Sequence, residues 1–105
     1  MTASWTKTIP IAQLPAGSLQ EVQCGSRLLC LYNLDGQVYA TDAKCTHGDA
    51  NLVDGYIIGQ EIECPFHQGL FDIPTGKATG SPCTQDLATY AVRVVDGGID
   101  VEIPE

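Results

Sequence analysis

Two short stretches decide the reading of this chain: Cys45-Thr46-His47 and Cys64-Pro65-Phe66-His67. Sixteen residues separate His47 from Cys64, and the chain contains no other histidine. Each histidine stands two or three residues after a cysteine, in sequence rich in Gly, Pro and Asp. One such pair carries little weight, since a lone cysteine is often a small buried hydrophobe. Two pairs of the same order, both in turn-forming sequence, point to four ligands gathered from two neighbouring loops.

Each loop offers one soft thiolate and one neutral imidazole. Two sulfide-bridged irons use such a set directly, with Cys45 and Cys64 on one iron and His47 and His67 on the other. A single zinc also accepts two Cys and two His in a tetrahedron. Zinc modules usually group Cys with Cys and His with His, however, and here each pair is mixed. The pattern therefore favours the iron–sulfur cluster and keeps a structural zinc module as a rival.

Around these loops the sequence is β-rich, and helical periodicity is almost absent. Strands are expected at Trp5–Ile9, Leu19–Cys24, Arg27–Tyr32 and Gln37–Thr41, with a short turn or helical stub at Ile11–Leu14. The apolar run Arg27–Tyr32 suits a strand buried on both faces. Asp35-Gly36 signals a tight hairpin, and Asp96-Gly97-Gly98 a second one. Within the irregular middle, short strands are expected near Tyr56–Ile58, Glu61–Cys64 and Leu70–Ile73. Plain sheet returns at Ala88–Val95 and Ile99–Ile103. The expected architecture is thus all-β: one domain over 1–105, a sandwich or barrel built from both chain ends, with a loop module inserted at about 42–84.

The 105 residues are enough to bury roughly 65% of the unfolded surface, so disulfide staples are not required. Five cysteines, an odd number, fit metal binding or burial better than a disulfide framework. Cys30, within Leu28-Leu29-Cys30-Leu31, reads as core, and Cys24 as packing. Cys83 lies beside Pro82 and is not needed as a ligand. Five basic residues against thirteen acidic ones give a net charge of −8. The basic residues are scattered singly, so neither nucleic acid nor an anionic membrane is an expected partner. No apolar run approaches the roughly 20 residues of a membrane span. The N-terminus lacks the basic and apolar regions of a signal peptide, and a cytoplasmic location is expected.

The stretches Cys45-Thr46-His47-Gly48-Asp49 through Asp54-Gly55-Tyr56, then Glu63 to Gly69 and Phe71-Asp72, resemble Rieske iron–sulfur proteins. The likeness is to the small ferredoxins that serve bacterial aromatic-ring-hydroxylating dioxygenases, and it covers nearly the whole chain. It implies a Rieske-like β-sandwich with an inserted two-loop cluster-binding subdomain and one Rieske-type [2Fe-2S] cluster. It also implies that Pro82 lies on a third loop covering that cluster. The implied role is a one-electron carrier, expected as a monomer. Electrons would come from an FAD-containing, NAD(P)H-oxidising ferredoxin reductase and go to a terminal oxygenase. In the respiratory branch of the family, cysteines stand where this chain has Ala50 and Phe66, and hydroxyl-bearing residues where it has Gly69 and Phe71. The loop-tying disulfide and two donors to the cluster sulfurs are therefore missing here.

An oxygenase would need further histidines and a carboxylate for its catalytic iron, and none remain. No G-x-G-x-x-G fingerprint offers a nicotinamide or flavin site. The chain accordingly reads as an electron-transfer component and not an enzyme. A small subunit of a larger oxidoreductase, such as a nitrite reductase, is the alternative that shares this fold and cluster.

Overall fold

A computed structural model describes residues 3–46, 50–65, 69–81 and 85–104. Eleven strands are found among them, and every pairing is antiparallel. The chain starts with β1 (Ala3–Pro10), followed by a single 3-10 turn at Ile11–Gln13, the expected stub. Next come β2 (Leu19–Cys24), β3 (Arg27–Leu34) and β4 (Gln37–Asp42). Asp35 and Gly36, with φ of 54° and 95°, make the hairpin between β3 and β4. Positive φ at both central residues matches the right-handed twist of the flanking strands, and Gly36 adopts it without steric cost.

The inserted module contains β5 (Tyr56–Ile58), β6 (Glu61–Glu63), β7 (Leu70–Asp72) and β8 (Ala78–Gly80), in that spatial order. The chain ends with β9 (Thr89–Tyr90), β10 (Val92–Val95) and β11 (Gly98–Pro104). One base sheet has the order β1-β11-β10 and the other β2-β3-β4-β9.

The single strand expected at Ala88–Val95 is a correction. It breaks at Ala91: β9 pairs with β4, whereas β10 pairs with β11 in the opposite sheet. The chain thus turns a corner between sheets here, as orthogonally packed β-structures do. The bond from the Glu102 N–H to the Ala91 carbonyl (2.9 Å) holds that corner.

β3 explains the layering. Its side chains alternate, and both faces are covered. Leu29 and Leu31 pack with Val22, Val38, Ala40, Ile99 and Val101 between the two base sheets. Cys30 and Tyr32 point the other way, into a second core shared with Ile62 and Phe71 of the inserted sheet. A strand covered on both sides must be apolar, which is why Leu29 to Tyr32 shows no polar interruption. Tyr32 is the one polar tip in that run, and its hydroxyl pairs with that of Thr41 at 2.8 Å. The base is therefore a sandwich, and the inserted sheet lies against its outer face. No helix among the described residues is long and apolar enough to cross a membrane.

Candidate metal centre

Cys45 and Cys64 head two loops built alike. The Cys45 N–H donates to the Ala50 carbonyl at 2.9 Å, and the Cys64 N–H donates to the Gly69 carbonyl at 2.8 Å. Each bond closes a six-residue span. Just outside the first lies the bridge Lys44–Asn51; just outside the second lies the β6–β7 pair Glu63–Leu70. Both loops are thus tips of short antiparallel ladders, which sets the backbone direction at each cysteine in the same way.

The first loop is further tied down by Asn51. Its carboxamide oxygen accepts from the Val53 N–H at 3.0 Å, capping the 3-10 turn Leu52–Asp54, while its NH₂ donates to the Glu21 carboxylate on β2. Asn ahead of a helical turn is a legible capping signal. The link to Glu21, 30 residues away, is not.

Both cysteines are almost fully buried, Cys45 at 2% exposure and Cys64 at 1%. They share one apolar cluster with Ala43, Ala50, Leu52, Ile62, Phe71, Ile73 and Leu87. Both of the expected cysteine ligands are thus in one part of the fold. The paired histidines His47 and His67, together with Asp49, Phe66, Pro82 and Cys83, lie outside the described residues. Among the described residues no three His, Cys, Asp or Glu side chains gather as a metal site.

The other cysteines, and the carboxylates near the loops, are placed as follows. Cys30 is fully buried. Loss of solvent pushes its thiol up to about 12, against a smaller lowering by the Tyr32 hydroxyl, so it stays protonated. Burial likewise pushes the Tyr32 phenol upward. Cys24 packs in the base core. Asp72 accepts from the N–H and hydroxyl of Thr75, a turn cap. Asp42 accepts from the Tyr90 hydroxyl at 2.5 Å, and Asp54 is exposed. Ala50, where the respiratory branch carries a cysteine, is buried in the cluster with both site cysteines, and Phe71 is wholly inaccessible.

The donors suit a two-iron, two-sulfide group on physical grounds. Cys45 and Cys64 lie in one apolar cluster, which would shield thiolates bound to a metal from water. Their loops present equivalent backbone, as two thiolates on one metal require. Each loop also carries a histidine in its sequence, which supplies the softer-to-borderline mixed set of a Rieske centre.

The protein-family model for the Rieske [2Fe-2S] domain matches residues 4–91. The ferredoxin component of the naphthalene 1,2-dioxygenase system of Pseudomonas putida is 45% identical over 94 residues, 90% of each chain. Among solved structures, the Sphingomonas yanoikuyae B1 ferredoxin has a TM-score of 0.91 at 41% identity, over 96% of this chain and 100% of its own. A chain in the complex of reduced oxygenase and oxidized ferredoxin of carbazole 1,9a-dioxygenase has a TM-score of 0.88 at 39% identity, over 92% and 91%. With the twin loops, the shared thiol cluster and likeness to ferredoxin components over most of the chain in agreement, the chain belongs to the Rieske [2Fe-2S] domain family, as an electron-carrying ferredoxin with one Rieske-type cluster and not as an enzyme.

Proposed function

We propose that this chain, as a single domain over 1–105, shuttles electrons one at a time within a multicomponent dioxygenase system for aromatic compounds. The donor is an FAD-containing NAD(P)H–ferredoxin reductase and the acceptor a terminal oxygenase. Cys45 and Cys64 hold one iron, and His47 and His67 the other. The protein works as a soluble cytoplasmic monomer. The observation that carries this reading is the pair of identically clasped loops that put Cys45 and Cys64 into one buried cluster.

When bound, the cluster supplies a one-electron couple at a potential above that of all-thiolate ferredoxins. The chain's own residues do the rest. The clasps at Cys45 and Cys64 fix the two ends of each loop. Ile62, Phe71, Ile73 and Leu87 keep water from the sulfur side. The Asn51–Glu21 bond holds the first loop to the rigid base sheet.

Pure protein should contain two irons and two acid-labile sulfides per chain. Cys45→Ala, His47→Ala, Cys64→Ala and His67→Ala should each lose them, whereas Cys30→Ser and Cys83→Ser should keep them. One zinc and no sulfide, or a cluster that survives His47→Ala but not Cys83→Ser, would refute the ligand set. Electron delivery from a ferredoxin reductase to a purified oxygenase tests the role, and size-exclusion chromatography tests the monomer.

A further inference from the structure

Thr46 stands between Cys45 and His47. Its hydroxyl donates to the Gln85 carbonyl at 2.6 Å, across 39 residues of sequence. The segment it reaches is firmly held from its other side. The Ala78 N–H donates to the Asp86 carboxylate at 2.9 Å, the Leu87 N–H to the Gly76 carbonyl at 2.7 Å, and the Asp42 N–H to the Ala88 carbonyl at 3.0 Å. Leu87 itself is buried in the cluster that contains Cys45 and Cys64. Residues 85–88 are therefore a fixed post, bonded to β4, to β8 and to the turn before β8. The Cys45–Ala50 clasp fixes only the ends of the first loop. The Thr46 bond fixes its first step from outside.

We propose that Thr46 is a positioning residue for the cluster, its hydroxyl holding the backbone between Cys45 and His47 against the Gln85 carbonyl. This rests on the assignment of Cys45 and His47 as ligands. A threonine suits the task, because its branched Cβ restricts χ1 and keeps the hydroxyl aimed. Without the bond the step between the two ligands gains freedom, and the cluster should be released more readily.

The test uses the loaded protein and a chelator in excess, with iron loss followed by visible absorbance. A neutral hydrogen bond corresponds to roughly a three- to tenfold effect. Thr46→Val and Thr46→Ala should lose iron faster by that factor, and Thr46→Ser should stay within about twofold of the parent. Ser18→Ala serves as control, since it removes a hydroxyl–carbonyl bond of the same 2.6 Å length in the base. It should leave both the rate and the visible circular dichroism unchanged, whereas Thr46→Val should alter the dichroism, which reports ligand geometry and not global stability. Failure of both Thr46→Val and Thr46→Ala to load, while Thr46→Ser loads, supports the requirement for a hydroxyl. A Thr46→Val protein indistinguishable from the parent, or a Thr46→Ser protein as labile as Thr46→Val, overturns the proposal. Cys45→Ala and His47→Ala run in parallel separate the two readings. If they retain the cluster, the ligand assignment falls; if they lose it and Thr46→Val is silent, only the role of Thr46 falls.

Discussion

Phe71 shows how one side chain can set a chemical property. It is fully buried in the cluster shared by Cys45 and Cys64, at the position where the respiratory branch carries a hydroxyl. Reduction adds negative charge, so each donor to a sulfur favours the reduced form. A hydrogen bond to a charged group is worth about 1.5–3 kcal/mol, and 59 mV is tenfold for one electron. Phe71→Tyr should therefore raise the midpoint potential by several tens of millivolts, up to about 130 mV, in voltammetry. An unchanged potential with the new hydroxyl bonded to sulfur would remove hydrogen bonding as the main control. Cys30 gives a second prediction. Its thiol is pushed from 9.0 to about 12 by burial. The folded state then keeps a proton that the unfolded chain releases, so the contribution is complete below pH 9 and is lost as pH rises toward 12. Between pH 9 and 10.5 the loss is about 2 kcal/mol. Cys30→Ala lowers stability at every pH by leaving a cavity, but its thermal midpoint should fall less steeply over that window. Parallel slopes for parent and variant would show that the thiol does not titrate this way.

Among the elements, the end of the 3-10 turn Leu52–Asp54 abuts the last residue of β6, which leads into the Cys64 loop. Gly55 ends that turn, and a Cβ there would lie 2.0 Å from the carbonyl oxygen of Glu63, the residue before Cys64. The obstacle is backbone, which cannot swing aside. Gly55→Ala should cost about 3 kcal/mol, the upper end of overpacking, and should weaken cluster retention by displacing Glu63. Gly59→Ala is the contrast: its φ of +63° brings only the strain of a left-handed residue, about 1 kcal/mol, and a Cβ there meets nothing within 4 Å. Equal iron content and equal thermal midpoints in the two variants would contradict the argument. The elements also mark what the sequence discloses. Hairpins at Asp35-Gly36 and Asp96-Gly97 were readable because positive φ demands particular residues, and β3 because two-sided burial demands an apolar run. The break at Ala91 had no such mark, since pairings to β4 and β11, distant in sequence or in the other sheet, decide it. At the site, the Cys/His spacing drew attention to the two clasped loops, but the clasps are backbone to backbone and leave no trace in residue type. The Thr46–Gln85 bond spans too much chain for any local pattern.

For the molecule as a whole, the balance of charge matters more than any single pair. The net charge is −8, and two of the five basic groups are seen engaged within the fold. Arg93 pairs with Asp100 at 3.2 Å and covers the Trp5 ring at 4.3 Å. Arg27 donates to the Tyr90 hydroxyl, which in turn donates to Asp42. Carboxylates therefore dominate the field that an approaching protein meets. Such a field steers partners with basic docking faces and raises encounter rates by roughly 10- to 1,000-fold at low salt. The Debye length falls from about 30 Å at 0.01 M salt to about 3 Å at 1 M, so this contribution is lost on salt addition. The second-order rate of reduction by a ferredoxin reductase should drop by at least about tenfold over that range. First-order transfer within a preformed complex should change much less, because salt acts on encounter and not on the short path from cluster to partner. Stopped-flow traces at several salt concentrations separate the two phases. A second-order rate independent of salt would mean that docking relies on apolar contact alone, and a rate that rises with salt would mean that the partner's face is itself acidic.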